Sequence, residues 1–413
     1  MISPGDIDQL SYQARFGSTD ERLSARQSIR DAAAAAGLRL ASIRPLYLAR
    51  ASGAVGGWTV PAMNIRGLAY EFCRAVFRAA KATQTAAFVL EIARSEMEYT
   101  AQRPDEIASV VLAAALREGY TGPVFLQGDH YKVQPGKSGE LIAPEVQAIK
   151  QLIDESLAAG FFNIDIDAST TVDLSRPTPR EQQYQNGSVT AQLTKHIRAR
   201  QPIDVAVGGE IGEIGGQVST VDDLRAFMDV YRSEVGTLDQ IGKVAIQTGT
   251  SHGGTPTADG RVAEVKVDFA AIEAISKVAR EEFGLAGVVQ HGASTLPEDS
   301  LGRFVDAGCV EIHLSTEFQN IIFNHPDFPD DVMSEMREYL GQHWSSERQD
   351  GMTDAQFFYK ARKRAWGPFK QRLADLPEQT RAAIGQSLED KVRRIFEILR
   401  VSQTRSVVDR YVS

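Results

Sequence analysis

The sequence predicts an α/β protein of the (β/α)8 class, a TIM barrel with helical extensions at both ends. Two observations carry this. From about residue 55 to 320, eight short apolar runs alternate with amphipathic stretches, and every run closes on a polar or small residue. The first run also lacks the glycine-rich phosphate loop that usually follows the first strand of the competing doubly wound sheet: it continues as VPAMNIRGLAY.

In order, the runs are WTVPAMN, AAFVLEI, GPVFLQGDH, FFNIDIDAS, IDVAVGGEIG, KVAIQTG, GVVQHGAS and CVEIHLST. Each is rich in Val, Ile or Phe, as parallel strands buried on both faces read. Helices are predicted between them. One opens at Pro104 and stops at Gly119, and one runs from Pro144 to near Gly160. Ser219 and Asp222 resemble a capping box ahead of Leu224 and Met228, and Pro297 leads to Phe304 before Gly308. Proline at the start and glycine just past the end is the helical asymmetry. Eight such units are the usual size of a β/α barrel.

Residues 1–50 read as an N-terminal helical extension, 51–320 as the barrel, and 321–413 as a charged C-terminal helical extension. Phe357, Trp366, Phe369 and Leu373 are its expected packing residues. A chain of 413 residues with 43% hydrophobic and 24% charged composition has ample material for one large core. The net charge of −9 argues against a nucleic-acid partner. No secretory signal or bilayer-spanning stretch is visible, so a cytoplasmic location is expected, without membrane association. Cys73 and Cys309 lie in apolar contexts and read as buried thiols rather than a disulfide.

Active sites of this architecture lie at the C-terminal ends of the strands. The residues closing the runs are Asn64, Asp129 with His130, Asp165 and Asp167, Glu210, His252, His291 and Ser315. Three of only seven histidines are among them. Three imidazoles from separate elements, converging on one mouth, suit a catalytic Zn²⁺ with an open position.

These motifs carry a resemblance. GDH at 128–130, EIGEIGG at 210–216, SHGG at 251–254 and HGAST at 291–295, in that order between VPAMN and STEFQN, resemble the class II (metal-dependent) fructose-bisphosphate aldolases. The resemblance implies Zn²⁺ or another divalent metal on His130, His252 and His291, with Glu210 and Asp165 as acidic positions near it. A monovalent cation is a further candidate. It implies Asp129 as the acid/base on the hydroxyl of the bond being made or broken. Gly253, Gly292, Ser294, Ser315 and Thr316 fall where a substrate phosphate is bound, and Asn64 beside the substrate. The implied partner is a sugar phosphate such as fructose 1,6-bisphosphate, with tagatose bisphosphate or another ketose phosphate as the alternative. A homo-oligomer, dimer or larger, is expected on the same ground.

The sequence departs from the family at three places. Paired glutamates usually follow the GG of the fifth loop, where this chain has Gln217 and Val218, so Glu213 becomes the candidate for moving the triose proton. The eighth run usually ends in an Asn and an Asp that meet substrate, and here those places hold His313 and Ser315. Both ends are also longer. A Schiff-base aldolase would place a lysine at a strand end inside the barrel; Lys132 comes after the Asp-His pair, and Lys243 and Lys266 precede or leave strands, which disfavours that chemistry. Asn64, with no H-x-H pair beside it, disfavours a metal-dependent barrel hydrolase. A barrel that has lost a proton-moving group and serves as a partner subunit is the non-enzymatic alternative.

Overall fold

Eight parallel strands close into a ring in the computed structural model, which describes residues 3–136, 141, 143–201, 203–212, 217–238, 240–249 and 266–412. In chain order the strands are β1 (Leu38–Leu40), β2 (Val60–Asn64), β3 (Val89–Ala93), β4 (Gly122–Lys132), β5 (Asn163–Asp167), β6 (Ala206–Glu210), β7 (Lys243–Ile246), β8 (Val288–Gln290) and β9 (Glu311–Leu314). β2 to β9 pair sequentially and in parallel, and β9 returns to β2 through Val60↔Glu311 and Ala62↔His313. These are the eight apolar runs. Helices cover the outer face and side chains fill the inner one, so β2, β3, β5 and β6 are buried at every position.

The helices start where their capping chemistry allows. Pro104–Arg117 opens on its proline, and Glu298–Asp306 follows Pro297. Sequence placed the cap of the helix after β6 one residue early. Thr220 is the N-cap of Val221–Val235 and forms the capping box with Asp223, while the Ser219 hydroxyl accepts the Gln247 N–H.

The N-terminal segment does more than cap one end. Its helices Pro4–Phe16 and Thr19–Ala35 pack on Pro104–Arg117, where Arg26 and Arg30 meet Asp105 at 2.9 and 2.5 Å. β1 then pairs with the start of β4. The helix Arg44–Ala51 runs beneath the ring: the Ile43 N–H donates to Asn163 Oδ1 at 2.8 Å, and the Tyr47 hydroxyl donates upward to Glu311.

At the other end, only the short helix Thr316–Phe323 follows β9 directly. The long helix Glu378–Ile398 lies between Ala69–Thr83 and Glu298–Asp306, tied by Arg78–Glu389 at 2.5 Å and Lys391–Glu298 at 2.7 Å. Part of the C-terminal segment therefore completes the outer helical layer. Trp366 fastens it: buried, it stacks on Phe323 at 4.4 Å and donates to Gln319 Oε1 at 2.9 Å. Phe357 and Leu373 are buried and Phe369 is packed against the core, as their sequence pattern predicts. Among the described residues, no helix is long and apolar enough to cross a membrane. Cys73 and Cys309 are buried free thiols.

Candidate active site

A regular strand would send Asp129 and His130 to opposite faces, because successive side chains alternate. β4 avoids this with a bulge. Gly128 pairs with Ile164 and Tyr131 with Ile166, so β4 uses one residue more than β5 over the same rise. His130 takes the left-handed backbone conformation, φ 42°, that few non-glycine residues adopt. Both side chains thereby reach the barrel mouth. Behind them Tyr131 turns outward to share a 2.5 Å hydrogen bond with Ser156, and its ring leaves no space for a Cβ at position 128. Glycine there is a requirement of close approach. Strain of this kind, on the order of 1–3 kcal/mol, persists where surrounding packing over-determines it.

Around the bulge the mouth is assembled from the ends of five strands, β4, β5, β6, β8 and β9. His130 Nδ1 lies 3.1 Å from Asp167 Oδ2 and 3.1 Å from Glu210 Oε2, and its Nε2 faces Asp129 Oδ1 at 3.9 Å. The His291 ring sits between two others, 4.1 Å from His130 and 4.2 Å from His313. Asp129, His130 and His291 bring ligand atoms within 4.8 Å of one another, and so do His130, Asp167 and Glu210.

Charges follow from this crowding. Burial alone would lower the His130 pKa, but the charges of Asp129 and Glu210 and bonds to Asp167 and Glu210 hold it well above the usual imidazole range. Burial likewise pushes Asp167 up, yet His130 and Lys132 keep it well below an ordinary carboxylate. Glu210 is raised to about 7, first by burial and then by the charge of Asp167. The mouth therefore favours positive charge. Imidazole and carboxylate donors at this spacing fit a Zn²⁺-type ion. Asp167 and Glu210 accept from Nδ1, which turns Nε2 toward Asp129 and His291, the arrangement by which carboxylates orient metal-binding histidines.

One layer down, the barrel is filled with charge instead of the usual Val, Ile and Leu. Lys243, 2% exposed, donates from Nζ to Gln127 Oε1 at 2.8 Å, Asp165 Oδ2 at 2.9 Å and Glu311 Oε1 at 2.5 Å. A Cβ on Gly208 would occupy the space of Asp165 and the Lys243 stem. By distance, Asp165, Glu311 and His313 could also hold an ion, as could Glu91, Asp129 and His313. The first of these groups already has its cation in Lys243. Burial disfavours that ammonium, but Asp165 and Glu311 outweigh it and raise its pKa further above the lysine range. A lysine kept charged between two carboxylates is not a Schiff-base nucleophile.

His313 bridges the layers. Its Nε2 is 2.7 Å from Glu311 Oε1, and its Nδ1 stands 3.0 Å from Glu91 Oε2 and 3.1 Å from Asp129 Oδ1. Burial raises Glu91 to about 7, and the nearby Asp129 charge adds to this.

The residues chosen from sequence divide as follows. Asp129, His130, His291, Glu210 and His313 come together at the mouth. Asp165 lies beneath, on Lys243, and Asp167 holds the place beside His130. Gly292, φ 71°, Ser294, Ser315 and Thr316 join the ends of β8 and β9, where the Thr316 N–H donates to Ser294 Oγ at 3.1 Å. Asn64 is held between Glu96 and the Arg66 Nε, 2.9 Å from its Oδ1. His252, Gly253 and Glu213 fall outside the described residues. Sequence reasoning missed the interior set Glu91, Gln127, Lys243 and Glu311. Its signal was present, as polar residues inside the apolar runs VLEI, FLQGD, KVAI and VEIH.

The family described as fructose-bisphosphate aldolase class-II matches residues 49–374. The chain belongs to this family. Class II aldolases are metal-dependent, and the mouth of this member holds the residue groups that can bind a metal ion. Among solved structures, the YdjI aldolase from Escherichia coli K12 is similar at 13% identity, covering 88% of this chain and 98% of that one, with a TM-score of 0.53. A fructose-bisphosphate aldolase from Campylobacter jejuni is similar at 16% identity over 87% and 94%, TM-score 0.52. A Sinorhizobium meliloti 1021 protein named a probable tagatose 6 phosphate kinase is similar at 16% identity over 86% and 99%, TM-score 0.57. At these identities the likeness is one of fold. No curated protein sequence matches the chain.

Proposed function

We propose that this class II family member is a zinc-dependent aldolase that cleaves or forms a ketose phosphate, giving dihydroxyacetone phosphate and an aldehyde. The observation that carries the reading is the bulge. It sets the carboxylate of Asp129 against the Nε2 side of His130, with His291 closing the same space. His130 and His291, with His252 as the third candidate ligand, would hold a divalent ion, which would supply Lewis-acid stabilisation of developing negative charge. Asp129, one residue from a ligand, takes the proton from the adjacent hydroxyl in cleavage and returns it in condensation. Backbone N–H groups and hydroxyls at Gly292, Ser294, Ser315 and Thr316 form the cradle for a phosphate, after the last two strands as is usual in barrels.

Fructose 1,6-bisphosphate is the first substrate to test. Tagatose bisphosphate follows, because His313 and Ser315 stand where family members read the substrate with Asn and Asp. Zinc as the metal, a homo-oligomeric state and a cytoplasmic location belong to the same reading.

The test is cleavage of a panel of ketose mono- and bisphosphates by the purified protein, with and without chelator. Turnover abolished by chelator and restored by Zn²⁺ is expected. Activity that survives chelation but is trapped by borohydride plus substrate would overturn the reading. Bound zinc without turnover on any panel member would favour a non-catalytic subunit, for which Gln217 and Val218 are the argument.

A further inference from the structure

We infer that Glu311 is a positioning residue for Asp129, acting through the imidazole of His313. The inference rests on the proposed proton-handling role of Asp129.

Glu311 and His313 are two residues apart on β9 and point to the same inner face. Glu311 is fully buried, and its carboxylate collects donors from four separate elements. Tyr47 donates to Oε2 from the helix beneath the barrel. Gln127 at 3.0 Å from β4, Lys243 from β7 and His313 at 2.7 Å from β9 share Oε1. A group held from four directions has no second orientation to adopt. A carboxylate can only accept there, so the His313 Nε2 carries the proton and donates it. That bond is the shortest polar contact of the ring and anchors its Nε2 side. The opposite nitrogen is thereby placed between two carboxylates, 3.0 Å from Glu91 Oε2 and 3.1 Å from Asp129 Oδ1, and the His291 ring covers one side of the imidazole at 4.2 Å.

Asp129 lies on the bulge, where the β4–β5 ladder is interrupted and backbone pairing constrains it least from that side. His313 supplies a restraint from the other side of the barrel. The N-terminal extension takes part as well, because Tyr47 is one of the four donors.

The test uses the zinc-loaded protein and four variants: Glu311→Ala, Glu311→Gln, Asp129→Asn and the double Asp129→Asn/Glu311→Ala. Crystal structures of Glu311→Ala should show the His313 ring turned away from Asp129, with the zinc content per chain unchanged. Glu311→Gln retains an oxygen for Nε2 and should restore the ring. On fructose 1,6-bisphosphate, Glu311→Ala should lower kcat by about 10-fold or more with KM within about twofold, and Glu311→Gln should recover most of it. The double variant should be no slower than Asp129→Asn alone, whereas a purely structural role would multiply the losses. Tyr47→Phe removes one donor only, and serves if Glu311→Ala does not fold; it should lower kcat by about two- to fivefold at unchanged KM. An unmoved imidazole in Glu311→Ala, or unaltered turnover in Tyr47→Phe, overturns the inference. Full turnover in Asp129→Asn would instead remove the acid/base reading, and the crystallographic comparison would still decide the positioning.

Discussion

His130 and His291 are carried at opposite points of the eight-stranded ring, at the end of β4 and just past β8, yet their ring centroids are 4.1 Å apart. Two side chains can meet across a barrel only if both point toward its axis at the same height. The left-handed backbone of His130 brings one of them there. Replacing either histidine by alanine should remove metal and turnover together, and the double variant should be no worse than either single one. Zinc content after dialysis measures this; retention of metal by His291→Ala would place the ion elsewhere. Asp129→Ala should keep the metal and lose turnover.

Asp167→Asn tests the orientation of His130. It keeps the shape but weakens the charged acceptor of the Nδ1 proton, so metal affinity should fall by about 10–100-fold. Competition with a chromophoric chelator reads that change directly. An unaltered affinity would show that Glu210 alone orients the ring.

The bulge depends on Gly128. A methyl group there overlaps the Tyr131 ring, so Gly128→Ala should cost about 1–3 kcal/mol through overpacking and lower metal content as His130 is displaced. Denaturant melts and zinc analysis should move together. A stable Gly128→Ala that binds zinc normally would show that the bulge is tolerant of a shifted tyrosine.

Lys243→Met leaves Asp165 and Glu311 buried without their cation, a change expected to cost about 3–5 kcal/mol. The stranded carboxylates would have folded-state pKa values above their unfolded ones. The variant should therefore be least impaired at low pH and lose stability as pH rises through those raised values. Melts between about pH 5 and 8 report it. A deficit independent of pH would mean that the lost side-chain packing dominates.

Asp105 gives the opposite sign at the surface. Burial opposes its ionisation, but hydrogen bonds from Arg30 and Arg26 hold its pKa below the ordinary value. A depressed carboxylate stabilises the fold above its unfolded pKa of about 3.9 and loses that contribution as pH falls through the folded value. The side chain is 40% exposed, so the contribution should not exceed about 1 kcal/mol. Asp105→Asn should loosen the docking of Thr19–Ala35 slightly at neutral pH and make no difference in acid, as hydrogen exchange on that helix can measure.

The ring of strands was legible because parallel strands buried on both faces need continuous apolar runs, and the eight runs have no other economical reading. Strand ends were legible for the same reason: WTVPAMN ends at Asn64 and GPVFLQGDH passes through the bulge at His130. β1 was not, since Leu-Arg-Leu is too short to show a period. Distinguishing Asp165 from Asp167 was also beyond a run-by-run reading. Both point inward from β5, two residues apart, and only the position of Lys243 on β7 puts one in the interior and leaves the other beside His130. The role of Glu378–Ile398 in the outer layer was hidden because a charged amphipathic helix reads the same whether it decorates a barrel or completes one.

The ammonium of Lys243 has a consequence for the charge balance of the chain. Domains that recruit a metal to neutralise their interior remain unfolded until it arrives. This barrel encodes the inner countercharge in its own sequence, and the residue groups that can bind a metal ion lie at the mouth, one layer above. The interior then needs no metal to balance its charge, whichever ion the mouth is given.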